Sequence, residues 1–252
     1  MAAISFQQRG TGKPVILLHG FPMDNTVWNA FAEALSSDYT VFTPDLPGFG
    51  GSELLAHGFS IADVAESLAQ SVVEQNLTDA VVIGHSLGGY VALALVEKKP
   101  QAFAGLGLFH STAYADSDEK KQSRTKAIEF IDKNGVLAFT SNFIQPLFTN
   151  PAHPDIQTVK RITAKSSTEA VKGYTLAMRD RPDRTHVLSS FSKPVLFIGG
   201  VKDGGIPADS IRKQATLSAK ADVHILDDVA HMGMFEKPRE TENIVRAFLA
   251  AC

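Results

Sequence analysis

Six short apolar runs, each closed by a turn residue, limit what this chain can fold into more than any other feature. Residues 15–18 follow a Gly-Thr-Gly-Lys-Pro turn and end at His19-Gly20. Residues 40–43 end at Pro44-Asp45, 80–83 at Gly84, 106–109 at His110, 195–198 at Gly199-Gly200, and 223–226 at Asp227-Asp228. Runs this short with little polar alternation predict strands buried on both faces, as in a parallel sheet covered by helices. Helical patterns lie between them, at 29–35, 61–75, 87–97, 209–217 and 238–249. The second has Ser60 as its N-cap and Ile61, Val64, Ala65, Leu68 and Val72 along one stripe; the last has Pro238 in its first turn. Strands alternating with helices define an α/β chain with a mostly parallel sheet. Residues 4–8 can add one antiparallel edge strand.

The alternation breaks between residues 111 and 193. Residues 119–133, 136–148, 155–165 and 167–178 all read as helices, and Asn134-Gly135 supplies a stop between the first two. The expected organisation is an α/β core made of residues 1–110 and 194–252, with residues 111–193 inserted between two of its strands. The insertion carries 13 basic and 9 acidic side chains, against 11 and 18 in the remainder. It is either a set of solvated helix faces or a basic cover that draws in anionic substrates.

Composition removes several function classes. With 24 Lys and Arg against 27 Asp and Glu, the formal net charge is −3, which leaves no basic footprint for nucleic acid. No apolar run approaches 18 residues, so no membrane span is expected. The single cysteine, Cys252, permits no intrachain disulfide, and the N-terminus has no basic stretch leading into an apolar one. Both features predict a cytoplasmic protein. Oligomeric state is left open.

Gly84-His85-Ser86-Leu87-Gly88 follows an apolar strand and opens an apolar helix. This is G-x-S-x-G in the setting it needs, a strand, a sharp turn and a helix. A serine on such a turn projects its hydroxyl away from the backbone. Small residues are required at 84 and 88, where side chains would collide with the adjoining helix and strand. A serine hydroxyl is a weak nucleophile at neutral pH; it needs a general base, and the base needs an orienting acid. His231 lies five residues past the last strand and Asp203 five past Ile198, both in loops at the carboxyl ends of strands. Along the chain the three residues follow in the order Ser, Asp, His. An oxyanion hole would take the N–H of Leu87, directly after the serine, and the N–H of Phe21 in the loop His19-Gly20-Phe21-Pro22.

Taken together, His19-Gly20-Phe21-Pro22, Asp45-Leu46-Pro47-Gly48-Phe49-Gly50-Gly51-Ser52, Gly84 to Gly88, Gly200 to Pro207 and Ala230 to Pro238 resemble the α/β-hydrolase superfamily along nearly the whole chain. The resemblance is greatest to small capped serine hydrolases related to esterases, cofactor-free haloperoxidases and carbon–carbon bond hydrolases. It implies a mostly parallel sheet of seven or eight strands flanked by helices, with the insertion as a helical cap. It also implies Ser86 as nucleophile, His231 as base, Asp203 as acid, and Phe21 and Leu87 as oxyanion donors. Dehalogenases and epoxide hydrolases of this superfamily carry an aspartate where Ser86 stands, so neither activity is expected. Leu87 stands where perhydrolase-like members often have methionine.

The expected activity is hydrolysis of carboxylic esters of small apolar substrates through an acyl-enzyme, with no cofactor. The same three residues would serve a carbon–carbon bond hydrolase or a lactonase. A receptor-like module that binds a small molecule with little turnover is the reading from a different class. Phe139 and Phe143, four apart on one helix face, either wall an apolar pocket or pack the insertion onto the core, with Leu147, Phe148 and Met178 nearby in sequence. Trp28 and Met232 are further candidates for the pocket wall. Asp116 is the rival for the acid role. His19 is expected to brace the oxyanion loop and His85 to pack, while His110 stands where it can approach the pocket. The histidine spacings give no metal motif. The glycines after Asp45 do not complete a phosphate-binding loop, because residue 53 is Glu and no Gly-Lys-Ser/Thr ending follows.

Overall fold

The computed structural model describes residues 2–252. Seven strands form one sheet: β1 (Phe6–Arg9), β2 (Lys13–Leu18), β3 (Tyr39–Pro44), β4 (Ala80–His85), β5 (Phe103–Phe109), β6 (Val195–Gly200) and β7 (Ala221–Leu226). Their order across the sheet is β1-β3-β2-β4-β5-β6-β7. Only β1 runs antiparallel, paired with β3; every other pairing is parallel. The expected antiparallel edge strand is therefore present, and the expectation of seven or eight strands resolves to seven.

Successive side chains on a strand point to opposite faces, and the core divides accordingly. Ile16, Leu18, Val82, Leu106, Leu108 and Phe197 pack into one apolar cluster. Val15, Leu17, Val81, Ile83, Leu196 and Ile198 pack into the other. The first is covered by α2 (Ile61–Glu74) and α3 (Leu87–Lys98), and the second by α1 (Asn29–Leu35) and α11 (Pro238–Ala251). The start of α2 is fixed by a reciprocal cap. Ser60 Oγ accepts from Asp63 N, and Asp63 Oδ2 accepts from Ser60 N at 2.8 Å. Strand β7 departs from the expectation of two buried faces. It is the last strand of the sheet, and Val223 is 39% exposed there.

Between β5 and β6 lie α4 (Asp118–Asn134), α5 (Val136–Ile144), α6 (Asp155–Thr163), α7 (Thr168–Arg179) and α8 (Thr185–Ser190). Gly135, at φ 84°, separates α4 from α5 as its sequence position predicted. The helix expected over 136–148 is shorter than that. It becomes a 3₁₀ turn at Gln145–Leu147, because Pro146 has no N–H to donate to the carbonyl four residues before it. Helix α8 carries no apolar periodicity long enough to be seen in the sequence. The two remaining helices, α9 (Ala208–Ala215) and α10 (Gly233–Glu236), follow β6 and β7. Among the described residues, no helix is long and apolar enough to cross a membrane.

Strand register brings the site together. Leu18 pairs with Gly84, His85 with Phe109, Phe109 with Ile198, and Gly200 with Leu226. The residues that leave β2, β4, β5, β6 and β7 at their carboxyl ends therefore emerge along one edge of the sheet, where ligand sites of open α/β sheets lie.

Candidate active site

Ser86 occupies a strained turn between β4 and α3. Its backbone is at φ 51°, ψ −113°, a conformation that L-residues adopt rarely. The neighbours that permit it are glycines for a steric reason. A Cβ on Gly84 would strike the backbone of Gly88 and Gly89, and one on Gly88 would strike the Leu18 and His19 carbonyls at the end of β2. Ser86 N–H donates to Phe109 O at 2.9 Å, and Ser111 Oγ donates to Ser86 O at 2.7 Å. Leu87 is the first residue of α3, so its N–H belongs to the turn that has no intrahelical acceptor.

Asp203 and His231 meet from separate loops. His231 Nδ1 lies 2.7 Å from Asp203 Oδ2, and the Asp203 carboxylate is fully buried. The other oxygen, Oδ1, accepts from Gly205 N at 2.8 Å and Ile206 N at 3.0 Å. Burial alone would push the Asp203 carboxyl up. The facing His231, and the hydrogen bonds from His110 and His231, outweigh it and hold this group well below the usual carboxylate range. His231 is fixed from behind. Its backbone N–H donates to Leu147 O at 2.9 Å, and its backbone carbonyl accepts from His85 Nε2 at 2.8 Å.

The other histidines are structural in position. His19 Nδ1 lies 3.0 Å from Gly20 O, and His19 Nε2 accepts from Leu46 N at 2.9 Å, so the ring ties the Gly20–Phe21 loop to the loop after β3. Asp45 braces the same region, accepting from Asn25 N and Gly51 N. His85 and His110 are fully buried, and burial first of all lowers both pKa values below 6.5. His110 does come to the site, though beneath it. Its Nδ1 lies 3.2 Å from the same Asp203 oxygen that faces His231. His110, Asp203 and His231 place three ligand-type atoms within 4.8 Å of one another. Both imidazoles direct Nδ1 at one carboxylate oxygen, however, so their protons fill the space a cation would need. The arrangement is that of hydrogen bonding.

A cavity of about 350 Å³ opens over this edge. Ser86 and His231 lie on its floor side, with Phe21, Phe139, Phe143, Leu147 and Met178 among the apolar walls. Phe139 and Phe143 stack with ring centroids 5.6 Å apart, and Phe21 meets Phe143 edge-on at 5.7 Å. Two expected wall residues are elsewhere. Trp28 and Met232 are fully buried in the core beneath the sheet, where Trp28 packs against Phe31 and Phe109. An apolar residue beside a site motif reads the same whether it faces the pocket or the core, so sequence alone misplaced both. Phe148 is likewise core, packed on His153 and Phe235. Asp116 is not available to His231. It is buried between Arg124 and Arg181, with Arg181 Nη1 2.6 Å away.

Lys120 and Arg124 reach the cavity from α4 and were not singled out in the sequence. Their four-residue spacing on one face of a basic insertion is the signal that could have found them. Lys120 Nζ donates to Gly205 O at 2.7 Å. Among the described residues that line the cavity, none is acidic.

The fold and this edge of the sheet define a class. A family model described as the Alpha/beta hydrolase family matches residues 15–244, and the chain belongs to that family. Within it the chain is a carboxylesterase-like hydrolase. It is similar to a thermophilic esterase from Thermogutta terrifontis, with 31% identity and a TM-score of 0.92 over 98% of this chain and 93% of that one. It is also 27% identical to the pimeloyl-[acyl-carrier protein] methyl ester esterase of Sodalis glossinidius, over 94% of each. A further relative is the dihydrolipoyllysine-residue acetyltransferase component of the acetoin cleaving system of Pseudomonas putida, 28% identical. The alignment covers 94% of this chain but only 64% of that protein's length. An enol-lactonase from Burkholderia xenovorans LB400 shares the fold, with a TM-score of 0.89 at 19% identity over 98% of this chain and 96% of that one.

Proposed function

We propose that this protein is a serine esterase acting on small apolar carboxylic esters through an acyl-enzyme. The observation that carries the reading is a single juxtaposition: Ser86 on its strained turn and His231 line one cavity, and His231 Nδ1 is 2.7 Å from the buried Asp203 carboxylate. His231 Nε2 takes the hydroxyl proton as Ser86 Oγ attacks the ester carbonyl carbon. Asp203 holds the ring with Nε2 free and stabilises the imidazolium. The carbonyl oxygen becomes an oxyanion, received by the N–H groups of Phe21 and Leu87; one such donor is worth about 3 kcal/mol in comparable sites. The tetrahedral adduct collapses and breaks the bond to the alcohol oxygen, which leaves with the proton from His231. Water, deprotonated by His231, then attacks the acyl carbon and releases the acid and Ser86.

In this reading residues 111–193 are a helical cap over the core formed by residues 1–110 and 194–252. The cap supplies Phe139, Phe143, Leu147 and Met178 as the apolar wall against which the substrate lies. No cofactor is called for. The test is labelling with a fluorophosphonate together with turnover of p-nitrophenyl butyrate. Ser86→Ala should abolish labelling and lower kcat on the order of 10⁶-fold, as loss of a nucleophile does in other triads. Native protein that binds the ester yet is neither labelled nor active would make it a binding module instead.

A further inference from the structure

The turn after β5 touches both the serine and the acid. Phe109 O accepts from Ser86 N at 2.9 Å, and Ser111 Oγ donates to Ser86 O at 2.7 Å. Between these two residues His110 is held at φ 49°, its N–H donating to Ile198 O at 2.7 Å. A residue other than glycine at such a φ persists only where its surroundings fix it. Here the strained backbone turns the ring beneath Asp203. His110 Nδ1 then lies 3.2 Å from Oδ2, and His231 Nδ1 lies 2.7 Å from the same atom. An ionised carboxylate only accepts hydrogen bonds, so both rings donate to it.

We infer that His110 is a positioning residue for the acid: its Nδ1–H fixes the plane of the Asp203 carboxylate and shares the oxygen that orients His231. The inference rests on the triad proposed above. With His231 and His110 on Oδ2 and the Gly205 and Ile206 N–H groups on Oδ1, the carboxylate has four donors and cannot rotate without losing some of them. Space-filling does not account for an imidazole here. The ring is fully buried, and its Nε2, where a side chain on Gly233 would strike it, has no hydrogen-bond partner among the described residues. A hydrocarbon side chain would fill the volume without an unpaired nitrogen. What the imidazole adds is the Nδ1–H.

The second donor also draws charge from the oxygen that His231 uses. Removing it leaves Oδ2 to His231 alone and makes the imidazolium easier to form. The other titratable groups around this cluster are His85, whose ring lies 5.0 Å from that of His231 and 6.2 Å from that of His110, Glu236, whose Oε2 accepts from Ala230 N and Met232 N, and Lys120, whose charge acts on Asp203 while its Nζ donates to Gly205 O. None of them replaces the lost donor.

Two variants and two measurements on the native protein test the inference. In His110→Leu, kcat should fall about 10- to 100-fold with KM within about threefold, and the acidic limb of the kcat/KM profile should move up by about half a pH unit or more. His110→Asn keeps a donor near the Nδ1 position and tolerates a positive φ, so it should recover most of the loss and return the limb towards its native place. Equal losses in both variants with an unmoved limb would reduce His110 to a packing residue. In native protein, imidazole ¹⁵N resonances should show His110 protonated on Nδ1 and not on Nε2 at neutral pH; the opposite tautomer overturns the inference whether or not the variants fold. Fluorophosphonate labelling of native protein separates the two levels. If Ser86 is labelled and the limb does not move, only the role of His110 fails; if Ser86 is not labelled, the triad fails with it.

Discussion

Replacing Asp203 by Asn changes one atom and tests the whole hydrogen-bond logic of the site. The carboxylate accepts four donors, two imidazoles on Oδ2 and two backbone N–H groups on Oδ1. An amide has one accepting oxygen and one donating nitrogen, so it cannot satisfy both sides. If the amide nitrogen faced the loop, the Gly205 and Ile206 N–H groups would lose their acceptor, at about 1–3 kcal/mol each. The oxygen therefore stays on the loop and the NH₂ faces the imidazoles. His231 must then present a bare Nδ1 and carry its proton on Nε2, towards Ser86, where it cannot accept the serine proton. In a comparable triad the same substitution lowers kcat about 10⁴-fold through the wrong tautomer, or about 5 kcal/mol of barrier. We expect a similar loss here, with the fold retained. Steady-state kinetics on p-nitrophenyl butyrate, with circular dichroism to confirm folding, measure it. A folded Asp203→Asn protein with kcat within tenfold of native would refute the argument, because Asp203 would then not be setting the tautomer of His231.

Two further expectations concern stability. Trp28 belongs to the core, so Trp28→Ala should cost about 3–5 kcal/mol in urea unfolding; a loss under about 1 kcal/mol accompanied by a large rise in KM would return Trp28 to the pocket wall. His19, His85 and His110 are fully buried, and burial, the largest influence on each, lowers their pKa values in the folded state below the ordinary 6.5. The unfolded chain takes up protons near pH 6.5 and the folded chain does not. Their contribution to stability is thus fully present above that pH and is lost as pH falls below it. The slope is up to about 1.4 kcal/mol per pH unit for each group. Tm measured from pH 7.5 to 5 should fall steeply below pH 6.5, and a flat profile over that interval would contradict the neutral, buried state of these rings.

The sheet was legible in the sequence because its strands are buried and short. Each of the six apolar runs lies within one of β2 to β7, and the turn residue that closes it marks the edge where the site forms. That Ser86, Asp203 and His231 come to one edge of the sheet was legible for a related reason: each follows a strand, and each sits in a motif whose glycines or prolines are dictated by backbone geometry. The pocket wall was not legible. Trp28, Met232 and Phe148 are as apolar as Phe139 and Phe143, and only the packing of the insertion decides which of them face the cavity. Nor could sequence assign His110. A histidine after a strand has no local signature of its distance to an aspartate 93 residues away, and that distance depends on β5 and β6 being neighbours.

The bond from the His231 backbone N–H to the Leu147 carbonyl has an evolutionary consequence. In the proposed reading the reacting groups are carried by the sheet, whereas most of the surface that would discriminate substrates is carried by the inserted helices. New specificities could in principle arise by wholesale exchange of that insertion, as one replaces the jaws of a vice. This bond limits the exchange. Leu147 lends its side chain to the cavity and its backbone oxygen to the loop that carries His231, so a foreign insertion that offered a suitable cavity but no acceptor at this point would deprive that loop of a support. Grafts that end on either side of residues 145–147, and so leave this turn in place, are the ones that keep both.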